Sequence, residues 1–221
     1  MGSADLQSDN WPELERIDRP SAASTRLLLV RHGQSTWNAE GRWQGQADPP
    51  LSDLGRRQAL AAAQRIGTVD AIIASPQQRA AQTATIISEA IGIGPLVHID
   101  DLRERHAGPW SGMTRHEIDE HYPGFLDEGH RPVGYETDLD LTTRTTGALA
   151  ALAIAFPGAS LLVVTHGGVI HNLELQLGLE AGRVPNLAGR LFLAEGDDLT
   201  ADEALFLADA HERSGGDPDR L

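Results

Sequence analysis

Three short aliphatic runs in this chain end in residue types suited to holding phosphate. Leu27 to Val30 leads into Arg31-His32-Gly33, Ala71 to Ala74 into Ser75-Pro76-Gln77-Gln78-Arg79, and Leu161 to Thr165 into His166-Gly167-Gly168. Arginine gives planar, charge-assisted and often bidentate hydrogen bonds to an oxyanion, and imidazole can donate, accept or attack. Ligands of an open α/β sheet bind outside the carboxyl ends of its strands. If the runs are strands, two arginines and two histidines therefore converge on one rim. Ser75 suits a helix N-cap and Pro76 the first helical position, which puts Arg79 in the first turn near an anion-favouring helix N-terminus. Gly167 and Gly168 let backbone N–H groups approach a ligand. Taken singly, each signal is weak: Arg-His-Gly arises by chance, a lone histidine after a strand is more often a turn residue, and a lone helical arginine is by default solvated.

Composition removes rival chemistries. The chain has no cysteine, so there is no disulfide, no thiolate metal site and no cysteine nucleophile. It also has no lysine, so all 18 basic residues are arginine, which excludes Schiff-base catalysis and a P-loop lysine. A formal net charge of −14 opposes binding to nucleic acid and to anionic membranes, both of which need a basic surface. Any positive potential must be local to a site. The remaining histidines do not make a metal centre, since His116 and His121, like His166 and His171, are spaced five residues apart and do not share a helix face. We expect no metal and no cofactor.

Positioning these residues calls for one α/β domain. A length of 221 residues with 40% hydrophobic content suits a single core, and no apolar stretch is long enough to span a bilayer. The first residues lack the basic-then-apolar layout of a signal peptide, so the expected location is the cytoplasm. Residues 1–24 are polar and aperiodic and are expected to be a disordered extension, residues 25–213 the domain, and residues 214–221 a frayed tail. Leu96 to Ile99 adds another strand. Helical stretches run over Ser52 to Ile66, Ser75 to Ile91, Arg115 to His121, Asp138 to Phe156 and Gly168 to Leu177. Leu187 to Glu195, a turn at Gly196-Asp197-Asp198, and Leu205 to Ala210 read as a closing strand pair. The alternation predicts a three-layer α/β/α sandwich around a mostly parallel central sheet.

Longer segments carry a family resemblance. Leu28 to Asn38 (LLVRHGQSTWN), Gly41-Arg42-Trp43-Gln44-Gly45 and Pro50-Leu51-Ser52-Asp53-Leu54-Gly55 resemble the signature of the histidine phosphatase superfamily, the phosphoglycerate mutase-like proteins. Ser75-Pro76 with Arg79-Ala80-Ala81-Gln82-Thr83-Ala84 resembles its second motif. Leu102-Arg103-Glu104 with Gly108, Trp110 and Gly112 resembles the third, and Val164 to Gly168 the fourth. The matches run in order from Arg26 to about His211.

The resemblance implies roles. His32 is the nucleophile that takes a phosphoryl group from a phosphomonoester, and it needs a neutral imidazole whose tautomer a backbone carbonyl fixes. Arg31 and Arg79 clamp the non-bridging oxygens and His166 donates to them. Glu104 is the general acid that protonates the leaving group and later activates water, with Asp101 and Glu117 as competing carboxylates. Asn38, Gln44, Gly45 and Gly167 correspond to further phosphate contacts, although Asn38, Gln44 and Gly45 could equally serve the loop itself. The partner is a small phosphorylated metabolite, and a homodimer stays open.

The same pocket supports two enzyme outcomes. Dedicated mutases of this family carry a longer segment between general acid and second histidine, with an adjacent arginine pair for the substrate carboxylate. Here the Glu104 to His166 segment is short and holds no Arg-Arg pair, which favours a phosphatase. Against this, Glu104-Arg105-His106 with Gly108 echoes the mutase pattern, with Ala107 where a tyrosine is expected. A non-catalytic phospho-ligand binder is the third alternative. The substrate selector is expected between His106 and Tyr135.

Overall fold

The computed structural model describes residues 24–208, with 95 and 197 excepted. The expected N-terminal extension, apart from Ser24, and the expected frayed tail lie outside the described residues. Six strands, β1 (Thr25–Arg31), β2 (Ala71–Ala74), β3 (Leu96–His98), β4 (Ser160–Thr165), β5 (Ala188–Glu195) and β6 (Asp198–Phe206), form one sheet in the order β3-β2-β4-β1-β5-β6. The first four in that order are mutually parallel, β5 runs antiparallel to β1, and β6 antiparallel to β5. Helices α1 (Thr36–Glu40), α2 (Asp53–Ala63), α3 (Gln78–Ile91), α4 (Arg115–His121), α5 (Asp138–Ala155) and α6 (Gly167–Gln176) complete the α/β fold.

The strands read as unbroken apolar runs because both faces of the sheet are covered. Leu27, Leu29, Ile73, Leu161 and Val163 face one side, against Leu149 and Leu152 of α5 and Ile170 and Leu173 of α6. Val30, Ile72, Ala74, Leu162 and Val164 face the other, against Ala62 of α2 and Ala80, Ala84 and Ile87 of α3. Each fully buried aliphatic side chain contributes about 1.5–3 kcal/mol, so register is fixed from both layers at once. With β2, β4 and β1 adjacent, the residues leaving their carboxyl ends emerge side by side. Two backbone bonds extend the ladder into the site, His32 N–H to Thr165 O at 3.0 Å and Ser75 N–H to Val164 O at 2.9 Å.

The structure corrects three sequence expectations. Ser75 does not cap α3. Its N–H is held in the ladder, Gln77 is still extended at φ −63 and ψ 134, and the helix starts at Gln78. Asp48 Oδ1 accepts the Gln78 N–H at 2.6 Å, which does the work expected of a capping side chain. The last strand is Asp198–Phe206, earlier than the expected Leu205 to Ala210, because the chain reverses directly between Glu195 and Asp198, which pair. Exposed Asp198, Asp202 and Glu203 interrupt the apolar pattern that would have announced it. Finally α1 was not expected at all. A reciprocal cap between Ser35 and Asn38 starts it and Gly41, at φ 81, ends it one turn later.

Candidate active site

His32 leaves β1 at its carboxyl end and is almost fully buried. Its Nδ1 lies 2.6 Å from the Gly33 carbonyl, which can only accept, so Nδ1 carries the proton. Arg79 Nε, which can only donate, lies 3.2 Å from Nε2, so Nε2 presents a lone pair. Burial, then the charges of Arg79 and Arg31, hold the ring well below the ordinary histidine pKa and keep it neutral, against an opposing effect of the Gly33 bond. Gly33 allows the turn to close. A Cβ there would stand 2.6 Å from the Gly55 carbonyl at the start of α2.

Arg79 is wholly buried and uses three of its five N–H groups within the protein. Besides His32 it donates from Nη1 to Ala47 O at 2.8 Å and from Nη2 to Gly45 O at 2.9 Å. Desolvation pulls its pKa down to about 10, with the charges of Glu104 and Asp48 opposing, so it remains a cation at neutral pH. The solvated-residue alternative for Arg79 is thereby excluded. Arg31 donates from Nη1 to Val184 O at 2.8 Å, and its side chain packs over Gly167.

His166 leaves β4 and is also fully buried, its ring centroid 5.3 Å from that of His32 at an interplanar angle of 62°. Burial, then Arg79, His32 and Arg31, hold it neutral as well. Its Nε2 lies 2.8 Å from Ser75 Oγ, and its Nδ1 is buried without a partner.

Glu104 stands across the cleft. Its Oε1 accepts the Arg105 N–H at 2.7 Å and its Oε2 the Gly168 N–H at 3.1 Å. A Cβ at Gly168 would collide with Glu104 Oε1 and push the carboxylate out of this position. The backbone around Glu104 is pinned by Gln77, whose Oε1 accepts the Glu104 N–H at 2.7 Å, and by Arg144 of α5, whose Nη2 reaches Glu104 O at 3.1 Å. The rival carboxylates are elsewhere. Glu117 belongs to the cap of α4 and pairs with Arg42 at 3.0 Å, and neither it nor Asp101 lines the cleft.

The cleft has a volume of about 630 Å³, and Arg31, His32, Gln44, Gly45, Arg79, Glu104 and Gly167 all line it. Asn38 and His166 do not open onto it but lie buried behind. Asn38 Oδ1 serves the α1 cap while its Nδ2 is buried without a partner. Gln44 Oε1 accepts from Ser35 Oγ at 2.7 Å, and the Gly45 carbonyl holds Arg79 and Gln77, so both stabilise the loop as well as facing the cleft. From the 106–135 segment Ala107, Gly129, Arg131 and Tyr135 line the cleft, whereas Trp110, Arg115, His121, Phe125 and His130 do not. Trp110 of this segment meets Trp43 and Tyr135 edge to face, with ring centroids 5.0 Å and 5.6 Å away. Sequence reasoning missed Gln77, Arg144, and the wall of His171, Arg183 and Val184. Gln77 falls between the two halves of the second motif, and its residue type carries no hint of its role. Among the described residues, no group of three or more His, Asp or Glu side chains could hold a metal ion, and no helix is long and apolar enough to cross a membrane.

The model of the histidine phosphatase superfamily, branch 1, matches residues 27–188 of this chain. The chain belongs to that superfamily. A metal-independent phosphoserine phosphatase of Arabidopsis thaliana is 35% identical over 177 residues, covering 76% of this chain and 73% of the relative. A glucosyl-3-phosphoglycerate phosphatase of Mycobacterium tuberculosis is 38% identical over 168 residues, covering 69% and 74%. Among solved structures, a mycobacterial glucosyl-3-phosphoglycerate phosphatase in complex with VO3 superposes with a TM-score of 0.71 at 31% identity, covering 80% of this chain and 97% of that one. Bacillus stearothermophilus YhfR gives 0.74 at 27% identity, covering 85% and 99%. This histidine phosphatase thus shares its fold over nearly the whole length of those solved chains.

Proposed function

We propose that this histidine phosphatase hydrolyses small phosphomonoesters through a phosphohistidine at His32, without a metal. The observation that carries the reading is the fixed tautomer of His32, a neutral ring with Nδ1–H on the Gly33 carbonyl and the Nε2 lone pair toward the cleft arginine. Nε2 attacks phosphorus while Arg31 and Arg79, which line the cleft, take the non-bridging oxygens, and the partnerless Asn38 Nδ2 and His166 Nδ1 lie buried behind them. Glu104 gives its proton to the departing alkoxide. In the second half-reaction the resulting carboxylate takes a proton from water, which attacks the phosphohistidine and releases orthophosphate.

Hydrolysis is favoured over mutase transfer by Arg105. The guanidinium that echoes the mutase pattern is committed to Asp138 at 2.7 Å and to the Glu136 carbonyl at 2.9 Å. For the substrate, the phosphoserine and glucosyl-3-phosphoglycerate named for the relatives both carry a carboxylate close to the phosphate ester. Arg131 supports the same class here. It lines the cleft, lies 5.5 Å over the rings of Trp110 and Tyr135, and among the described residues pairs with no carboxylate. The test is to quench turnover in acid and in base. Acid-labile, base-stable phosphate on the wild-type chain, absent in His32→Ala, is the expected result, and undiminished hydrolysis by His32→Ala refutes the assignment. A screen of phosphorylated metabolites with and without a carboxylate then defines the class.

A further inference from the structure

The reaction above leaves Ser75 unused, yet among the described residues it is the one hydrogen-bond partner of the His166 ring. We propose that Ser75 is a positioning residue, its hydroxyl donating to His166 Nε2 and so fixing the Nδ1–H tautomer of a ring that packs 5.3 Å from that of His32. The inference rests on the phosphohistidine reading for its catalytic meaning, but the tautomer itself can be observed directly.

The contact between Ser75 Oγ and His166 Nε2, 2.8 Å long, has two possible proton arrangements. If Nε2 carried the proton, it would donate to Oγ, and the hydroxyl hydrogen would need another acceptor. Among the described residues the other bond of Oγ is from the Gln77 N–H at 3.3 Å, which already uses Oγ as an acceptor. The hydroxyl hydrogen would then be stranded in a fully buried site, and so would the bare Nδ1 lone pair. That arrangement leaves two buried polar groups unmet, one more than the alternative. If Oγ donates to Nε2, the hydroxyl is satisfied as donor and acceptor, and what is left over is an N–H at Nδ1. A phosphoryl group offers acceptors only, so this leftover donor is complementary to it, whereas a lone pair would repel it.

Placement follows from the sheet. Ser75 is the first residue past β2 and His166 the first past β4, and those strands pair in parallel with Ala74 opposite Val164. The Ser75 N–H bond to Val164 O holds the hydroxyl at the height of the ring. Serine here is therefore explained by the neighbouring strand and not by the helix that follows.

The experiment is 15N NMR of the imidazole rings in the full-length, histidine-labelled protein, with His166 assigned from its loss in His166→Gln. The Nδ1–H tautomer is expected in the wild type. Ser75→Ala should shift population to Nε2–H and lower kcat/KM about tenfold, mostly in kcat, which is less than the about hundredfold loss for removing such a donor altogether. Ser75→Thr, which keeps the hydroxyl, should restore both. An Nε2–H tautomer in the wild type, or an unchanged tautomer in folded Ser75→Ala, overturns the proposal. If the alanine chain does not fold, Ser75→Cys, a weaker donor of similar size, takes its place under the same criteria. Loss of folded protein alone lowers activity without moving the tautomer. Failure of the phosphohistidine reading is distinguishable, since it shows as no phosphate on His32 with the His166 tautomer unchanged.

Discussion

Two histidines buried neutral must make this fold acid-sensitive in a defined window. His32 and His166 both have pKa values pushed well below the unperturbed 6.5, chiefly by burial. In the unfolded chain each takes a proton near pH 6.5, whereas in the folded protein neither does until much lower pH. The unfolded state therefore binds more protons, and stability present above pH 6.5 is lost as pH falls. Each ring contributes a slope approaching about 1.4 kcal/mol per pH unit, so the pair approaches about 2.7. Between pH 6.5 and 5 the loss has an upper bound of about 3 kcal/mol, against the about 5–15 kcal/mol typical of a domain. Glu117 and Glu136 have pKa values lowered from 4.5, so their stabilisation is lost only as pH falls below that value and the window is clear of them. The assay is urea unfolding at intervals from pH 7.5 to 5, followed by tryptophan fluorescence, for which buried Trp110 is a suitable reporter. The wild type should lose stability with that slope, and the double variant His32→Gln, His166→Gln should lose most of the dependence. Equal slopes in the two proteins refute the claim that these rings are neutral when folded.

Three further outcomes are expected. Glu104→Gln should lower kcat/KM for an alkyl phosphate by about a hundred- to ten-thousand-fold and for an activated aryl phosphate far less, since only the former needs a proton delivered; equal losses point to a binding role. Gly168→Ala should give the same leaving-group signature with Glu104 intact, because the new Cβ displaces the carboxylate, and an unchanged ratio between the two esters contradicts that geometry. Activity should survive EDTA and fall with vanadate, and loss on chelation that a divalent ion restores would show that the arginines and histidines are not sufficient.

The sequence made the parallel strands and the rim legible because both depend on local pattern. Buried parallel strands are unbroken apolar runs, and the motif residues follow them closely, so the place of His32, Arg79 and His166 just past the strand ends is readable from the sequence. What was not legible depends on contacts across the chain. Ser75-Pro76 looks like a helix start when read locally, but a backbone bond to Val164 keeps Ser75 in the ladder. Gln77 spans from the Gly45 and Ala47 carbonyls to the Glu104 N–H, and nothing in a glutamine's neighbours along the chain announces such a bridge. The acidic edge strand β6 was misplaced for the converse reason: solvent on one side removes the pattern that burial writes into the inner strands.

The absence of lysine bears on how the site is held together. Arg79 must remain charged while fully desolvated, and it must meet an imidazole nitrogen and two carbonyls at once. Burial brings its pKa to about 10, which leaves it protonated at neutral pH. A lysine starts near 10.4 instead of above 12, so the same desolvation would carry it toward neutrality, and a single ammonium could not serve three acceptors in one plane. The charge so retained also acts on His32, where it disfavours an imidazolium and keeps Nε2 unprotonated. In the proposed reaction the His32 Nε2 lone pair that accepts the Arg79 Nε–H must reach phosphorus, so that contact opens before attack, while the second hydrogen on each of Nη1 and Nη2 is there for the anion.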